Sequence, residues 1–240
     1  MVVLRELVSA GGACAAGAGG VLSWAAVSPS SQIFGPTLRR TGDARTMALT
    51  FDDGPNPATT PQILDLLDRY GAKATFFVIG KWVDAEVALT QEIVARGHVL
   101  ANHTYTHPRL ALCSSARIAE ELERCDAAIE SATMRKPRWM RPPYGFRSPL
   151  LAGVVRERGD SGIVMWSTWA RDWKPQPARQ TIDRLYGAQG GDIVLLHDGD
   201  PHAAKSDRSH VVAALEHWLP RWQDAGLCFA TIDTMDAAEA

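Results

Sequence analysis

Three groups of residues in this sequence are of the types that perform hydrolytic chemistry. The first is the carboxylate pair Asp52-Asp53, followed by Gly54-Pro55. Neighbours at the end of a strand point in different directions, so one carboxylate can ligate a cation while the other moves protons. The second is His103-Thr-Tyr-Thr-His107, two imidazoles four residues apart. On a helix they would share a face and reach one cation. A metalloprotease signature would need Glu at position 104, which is Thr104, so a zinc protease is disfavoured. A third ligand must come from elsewhere, and an Asp oxygen would leave the ion hard enough to polarise water and carbonyl groups. Asp52-Asp53 can supply it. A buried carboxylate acting as base also needs a fixed cation beside it. Arg141, in Arg-Pro-Pro-Tyr144, is the candidate, because the two prolines restrict where Arg141 and Tyr144 project. The third group is His197, which ends the run Asp192-Ile-Val-Leu-Leu-His. Alone it reads as a core histidine; with a carboxylate to orient it, it becomes an acid, and Asp172 in Ala170-Arg-Asp-Trp is available.

These groups are far apart in sequence, so the elements that carry them must converge. After Arg45 the chain alternates short apolar runs with amphipathic stretches. Strands are expected at Thr46–Phe51, Ala74–Ile79, His98–Ala101, Ile163–Met165, Ile193–Leu196 and Cys228–Ile232. Helices are expected after Thr59 or Thr60 with Pro61 as first residue, at Asp84–Arg96, and from Ser114 or Ser115 through Ile129. Others are expected at Pro149–Arg158, Ala178–Tyr186 and Val211–Ala225. Such alternation predicts a parallel α/β sheet or barrel. In these folds, functional groups gather beyond the carboxyl ends of the strands. Asp52-Asp53, His103 with His107, and His197-Asp198 all fall there. Trp82, Trp166, Trp218 and Trp222 are expected in the core.

Lys+Arg minus Asp+Glu is 25 − 27 = −2, which leaves no global field to attract nucleic acid, and no nucleic-acid-binding signature is present. Four cysteines without a CxxC exclude a disulfide-built scaffold and a zinc finger. Cys113 and Cys125 could pair only if the fold brings them together. From Leu7 to Leu38 no residue is charged, and Val8–Val27 is mostly Ala and Gly. Residues 1–43 therefore read as an apolar arm and linker, and any membrane contact is expected through this arm alone. Export, anchoring and a free arm all remain open. Small residues at Ala16–Ala18 and Ala25–Ala26 could serve a signal peptidase, and Cys14 lacks the leucine of a lipoprotein site.

Taken in order, Thr50-Phe-Asp-Asp-Gly-Pro55, His103-Thr-Tyr-Thr-His107, Arg141-Pro-Pro-Tyr144, Asp172-Trp173 and Leu195-Leu-His197 resemble the five motifs of polysaccharide deacetylases. This is the NodB-homology group, carbohydrate esterase family 4. The resemblance spans residues 44–233, leaving 234–240 as a tail. It implies a distorted (β/α) barrel and hydrolysis of N-acetyl groups on amino sugars in chitin-type or peptidoglycan-type chains. Carried over residue by residue, it implies that Asp53, His103 and His107 hold one divalent metal, with zinc the expected ion. Asp52 would be general base with Arg141 orienting it, and His197 general acid with Asp172 as partner. The Tyr144 backbone N–H would help to stabilise the oxyanion, and Trp173 and Leu195 would line the acetyl pocket. A monomer acting on an N-acetylated glycan is the expected state.

One position departs from the pattern. The fourth motif usually has an Asp three residues before its Asp-Trp pair, and here that residue is Trp169. The departure leaves the chemical core untouched and bears on the local pocket wall, and hence on what the resemblance implies about substrate preference. Two other readings compete: a metal-dependent amidase acting on cyclic imides or ureides, and a non-catalytic carbohydrate-binding or scaffold protein.

Overall fold

The computed structural model describes residues 20–236. The candidate cleavage positions at 16–18, Cys14 and the tail from 237 lie outside these residues. A helix runs over 20–27 (α1). Nine strands then follow: β1 (Thr37–Leu38), β2 (Thr46–Asp52), β3 (Ala74–Val78), β4 (Val99–Asn102), β5 (Trp139–Met140), β6 (Gly162–Val164), β7 (Thr168–Trp169), β8 (Ile193–His197) and β9 (Cys228–Phe229). The intervening helices are α2 (Thr60–Arg69), α3 (Gly80–Ala85), α4 (Val87–Ala95), α5 (Ser115–Thr133), α6 (Pro149–Glu157), α7 (Ala178–Arg184), α8 (Ser209–Asp224) and α9 (Ile232–Asp236).

The strands pair in parallel in the order β1-β6-β5-β4-β3-β2-β8-β7, with β9 also against β2. The sheet curls. β6 and β7 lie near opposite ends of this order, yet only three residues separate them. Within that gap Met165 N–H donates to Leu38 of β1 (2.8 Å), and Ser167 N–H donates to Ile193 of β8 (3.1 Å). Two residues of chain reach only about 7 Å, so the two sides of the sheet must come round to face each other.

Alternation along the strands sets the layers. Leu49, Phe51, Phe76, Val78, Val194 and Leu196 point out and build the main core with Ile63, Leu67, Ile93, Ile129, Leu215 and Leu219 of the helices. Each such side chain, once buried, contributes about 1.5–3 kcal/mol. The opposite face looks into the curl. In the parallel register Asp52 lies beside both Phe77 and His197, and Val78 lies beside Asn102. The carboxyl ends of β2, β3, β4 and β8 therefore finish at one level. That level is the site.

Local signals explain most helix boundaries. Pro61 opens α2, which ends in Arg69 and then Tyr70. The Ser114 hydroxyl accepts the Arg117 N–H to cap α5, and Ser148 accepts the Leu151 N–H to cap α6. Thr59 precedes α2 without a side-chain cap. Several expectations are corrected. The single helix expected over 84–96 is two, because Glu86 leaves helical geometry (φ −128°, ψ 50°). The last strand stops at Phe229, and Ile232 begins α9. Trp166 and Trp222 are buried, but Trp82 and Trp218 are only half-buried, their indole N–H groups donating to Asp200 and Ile182 carbonyls. Cys113, Cys125 and Cys228 are free thiols. No described helix is long and apolar enough to cross a membrane.

Candidate active site

The His103–His107 segment is not helical, contrary to the simplest reading of its spacing. It is a loop in which Thr104 (φ 68°) and His107 (φ 63°) take left-handed backbone angles. Asn102 accepts the Thr104 N–H at 2.7 Å, and Thr104 accepts the His107 N–H at 3.0 Å. The buried Glu121 of α5 accepts the Tyr105 and Thr106 N–H groups (2.9 and 2.8 Å). The loop is thus folded by side chains rather than by helical spacing. Asp53 (φ 74°), Tyr144 (φ 60°) and Arg171 (φ 52°) share the left-handed geometry. Among the described non-glycine residues with positive φ, only Met134 lies away from this region. Such conformations are costly and persist where the surroundings over-determine them.

Two glycines allow the loops to interlock. A Cβ on Gly54 would sit 2.2 Å from the Asp198 carboxylate, and one on Gly199 would sit 2.1 Å from the Asp53 carbonyl. The segments after β2 and β8 are therefore in direct backbone contact.

At the centre, Asp53 Oδ1 lies 3.5 Å from His103 Nε2 and 3.2 Å from His107 Nε2, all three residues buried. His103 Nδ1 lies 2.7 Å from the Arg141 carbonyl, which can only accept, so Nδ1 carries the proton and Nε2 presents a lone pair. Burial drives His107 down to about pH 3, against the opposing pull of Asp53, so it is neutral at pH 7. Burial pushes Asp53 up, but the surrounding imidazoles, the cationic His197 among them, outweigh this and hold it below the usual carboxylate range. Asp53 Oδ1 has no hydrogen-bond partner. Acceptors facing one another around an orphaned buried oxygen fit a shared cation. Bonds of ~2.0–2.1 Å in a tetrahedral site put ligand atoms about 3.4 Å apart, close to the two distances found.

The neighbouring carboxylate has a different environment. Arg141, with no exposed surface, donates to Asp52 Oδ1 at 2.7 Å and to Thr50 Oγ1 at 2.9 Å. Its other donors meet the Val164 and Met165 carbonyls (3.3 and 3.1 Å), and its guanidinium lies 4.1 Å from the Phe77 ring centre. Asp52 Oδ2 is left facing His103 Nε2 at 3.7 Å.

Across β2, His197 is held twice by Asp172: its ring Nδ1 donates to Oδ1 at 3.0 Å and its backbone N–H to Oδ2 at 2.8 Å. Burial would depress the imidazole, but Asp172, aided by Asp53 and Asp52, raises it to about 9. Tyr144 meets His107 edge-on (ring centres 4.6 Å apart, 64°), and Trp173 meets His197 edge-on at 6.5 Å. Leu195 is buried two residues before His197. The ten candidate residues are thus gathered around the carboxyl ends of β2, β4 and β8.

A profile of the family described as polysaccharide deacetylase matches residues 39–160. A chitooligosaccharide deacetylase from Bradyrhizobium sp. (strain ANU 289) is 40% identical over 194 residues, covering 76% of this chain and 86% of that protein. The chain belongs to the polysaccharide deacetylase family. A second relative, a peptidoglycan-N-acetylglucosamine deacetylase from Bacillus cereus, is 35% identical over 79% of this chain and 87% of its own length. The crystal structure of a CE4 family pseudoenzyme from Bacillus anthracis superposes with a TM-score of 0.75 at 26% identity, covering 84% of this chain and 69% of that one. The curled sheet is thus the distorted (β/α) barrel of the NodB-homology group. That last likeness carries the fold but no activity, which must be argued from the side chains.

Sequence reading missed several residues that build the site. Asn102 and Glu121 fold the histidine loop. His210 Nε2 bonds the Asp172 carbonyl at 3.0 Å. Asp198 is fully buried, bonded by Thr60, and burial lifts it to about 7. Asn102 and Asp198 carried a signal, standing directly before His103 and directly after His197, where the sequence places Asp198 among the strand-end polar groups without a role.

Proposed function

We propose that this chain is a metal-dependent hydrolase that removes N-acetyl groups from amino-sugar oligomers or polymers of the chitooligosaccharide or peptidoglycan type. The observation that carries this reading is the unpartnered Asp53 oxygen flanked by the Nε2 atoms of two imidazoles, with an Arg-paired carboxylate on one side and an Asp-paired imidazole on the other. Asp53, His103 and His107 would hold one divalent ion, with zinc the ion that the family resemblance implies. When bound, such an ion supplies Lewis acidity towards water and carbonyl oxygen.

The remaining roles belong to the chain. Asp52, oriented by its 2.7 Å pairing with Arg141, accepts the proton of the attacking water. The Tyr144 N–H donates to the oxyanion, where one such donor is typically worth ~10²–10³ in turnover. His197, cationic beside Asp172, gives its proton to the departing sugar nitrogen as the C–N bond breaks, leaving acetate. The acid and the base are thus distinct groups with distinct partners, His197 on Asp172 and Asp52 on Arg141, as acid–base hydrolysis requires. This complete set argues against a purely binding role.

Acetate release from N-acetylglucosamine oligomers, with and without chelator, tests the reading. Chelator-sensitive release supports it. Release from cyclic imides alone would move the assignment to an amidase, and binding without turnover would move it to a carbohydrate-binding protein.

A further inference from the structure

Outside the groups that move protons, the most organised feature of the cleft is a row of indoles. Trp166 tilts on Trp169 (ring centres 6.0 Å, 36°), and Trp169 stacks on Trp173 (5.4 Å, 19°). The row starts at the oxyanion turn, where a Cβ on Gly145 would lie 2.6 Å from the Trp166 ring, and it ends at His197. In the β7–β8 register Trp169 sits beside Leu195, so its side chain leaves the same face of the sheet as Leu195 and His197. Trp169 is therefore part of the cleft wall at the acid end.

The chain between the two stacked rings is held on purpose-built contacts. Arg171 reverses the backbone at φ 52°, folding Trp173 back onto Trp169, and its guanidinium caps the Trp169 ring at 4.9 Å. Arg184 donates to the Ala170 and Arg171 carbonyls (3.1 and 2.9 Å), and the buried Arg208 donates to the Trp173 carbonyl (3.1 Å). One face of Trp173 is covered by Trp169, yet the residue is still 41% exposed. An indole half-open beside the acid offers its π-face to a ligand with an apolar side, and a pyranose ring presents such a side through its C–H bonds.

We propose that Trp169 is a positioning residue for substrate selectivity: by stacking behind Trp173 it fixes that ring as a platform for the apolar face of a sugar ring. This inference rests on the glycan-deacetylase reading and names how that site selects sugars. A carboxylate at position 169, as the family pattern has, could not back the ring in this way. Trp173 would then be free to turn.

The test compares wild type, Trp169→Phe and Trp169→Ala on the N-acetylglucosamine pentamer. The stacked pair contributes an exciton couplet in circular dichroism, read as the difference between wild type and variant because Trp218 and Trp222 also stack (5.7 Å, 18°), and this difference couplet reports the geometry without reference to activity. Trp169→Ala is expected to lose the couplet and to raise KM about three- to tenfold, the range of one aromatic contact, with kcat within twofold. Trp169→Phe is expected to recover most of the KM. An unchanged KM with the couplet lost overturns the proposal, as does a fall in kcat at constant KM. Should wild type release no acetate, the deacetylase reading fails by itself. Quenching of tryptophan fluorescence by the pentamer, weakened in Trp169→Ala, would then still support the platform, and its absence in wild type would overturn it.

Discussion

Asp172 grips His197 with both carboxylate oxygens, one on the backbone N–H at 2.8 Å and the other on ring Nδ1 at 3.0 Å. Position and charge are set by the same residue. The imidazole must be protonated to act as an acid, and with its pKa raised to about 9 it is so at neutral pH. Asp172→Asn removes the charge and should move the alkaline limb of the pH–rate profile down by about 1–3 units. An alkaline limb that stays in place would show that another group acts as the acid. His197→Ala should lower kcat by about 10²–10⁴. The linkage has the same sign: the stabilisation is fully present below about pH 6.5 and is lost as pH rises through about 9. A thermal melt series across that window should show it, and Asp172→Asn should flatten it.

Asp52 and Arg141 form a buried pair at 2.7 Å, and their variants should separate chemistry from folding. Asp52→Asn keeps the shape, so metal content should be retained while nearly all acetate release is lost. Turnover near wild type in that variant would leave Asp52 as a structural partner of Arg141 at the end of β2. Arg141→Met strands a buried carboxylate and should cost about 3–5 kcal/mol in urea unfolding.

Metal analysis of the purified protein should find one divalent ion per chain, and none in the Asp53→Ala/His103→Ala/His107→Ala variant. Free ion at 100-fold excess over Kd should add about 2.7 kcal/mol to unfolding, seen as a higher Tm in wild type alone. A near-stoichiometric ion in the triple variant would place the site elsewhere.

The parts legible in the sequence were those whose local and global demands agree. The strands ending at Asp52 and His197 are apolar runs stopped by polar residues, and α2 and α6 announce themselves by a proline at the first turn. What stayed hidden was set by tertiary contact. β5 and β7 have two residues each, too few for any periodicity, and exist because longer neighbours pair with them. The two histidines meet Asp53 through left-handed backbone at Thr104 and His107, which only Asn102 and Glu121, from other elements, make tolerable. Trp169 read as a lost carboxylate, and its stack on Trp173 depends on a reversal at Arg171 that spacing does not reveal.

Arg147 supplies the last prediction. It follows the Tyr144 turn, has 1% exposure, and donates from its guanidinium to the Ser31 carbonyl at 2.7 Å, the Ala25 carbonyl at 3.3 Å and the Ser28 carbonyl. Its backbone N–H adds a bond to Ala26 at 2.9 Å. One side chain thus collects the carbonyls at the end of α1 and in the turn beyond it. These are groups that a helix terminus cannot satisfy internally. Ala25 and Ser31 are buried with it, so this stretch of the apolar arm packs on the segment that carries Tyr144. Arg147→Ala would leave these carbonyls short of donors, each worth about 1–3 kcal/mol when buried and unmet. With partial rescue by water, a loss of about 2–5 kcal/mol in urea unfolding is expected. Arg147→Lys should recover only part, since an ammonium lacks the planar fork that reaches several carbonyls at once. Deleting residues 1–31 removes these acceptors together with the packing of Ala25 and Ser31, and uncovers the segment that carries Tyr144, so it should be at least as harmful as Arg147→Ala. If the deletion variant unfolds within 0.5 kcal/mol of wild type, the contact is incidental and the arm is dispensable to the fold.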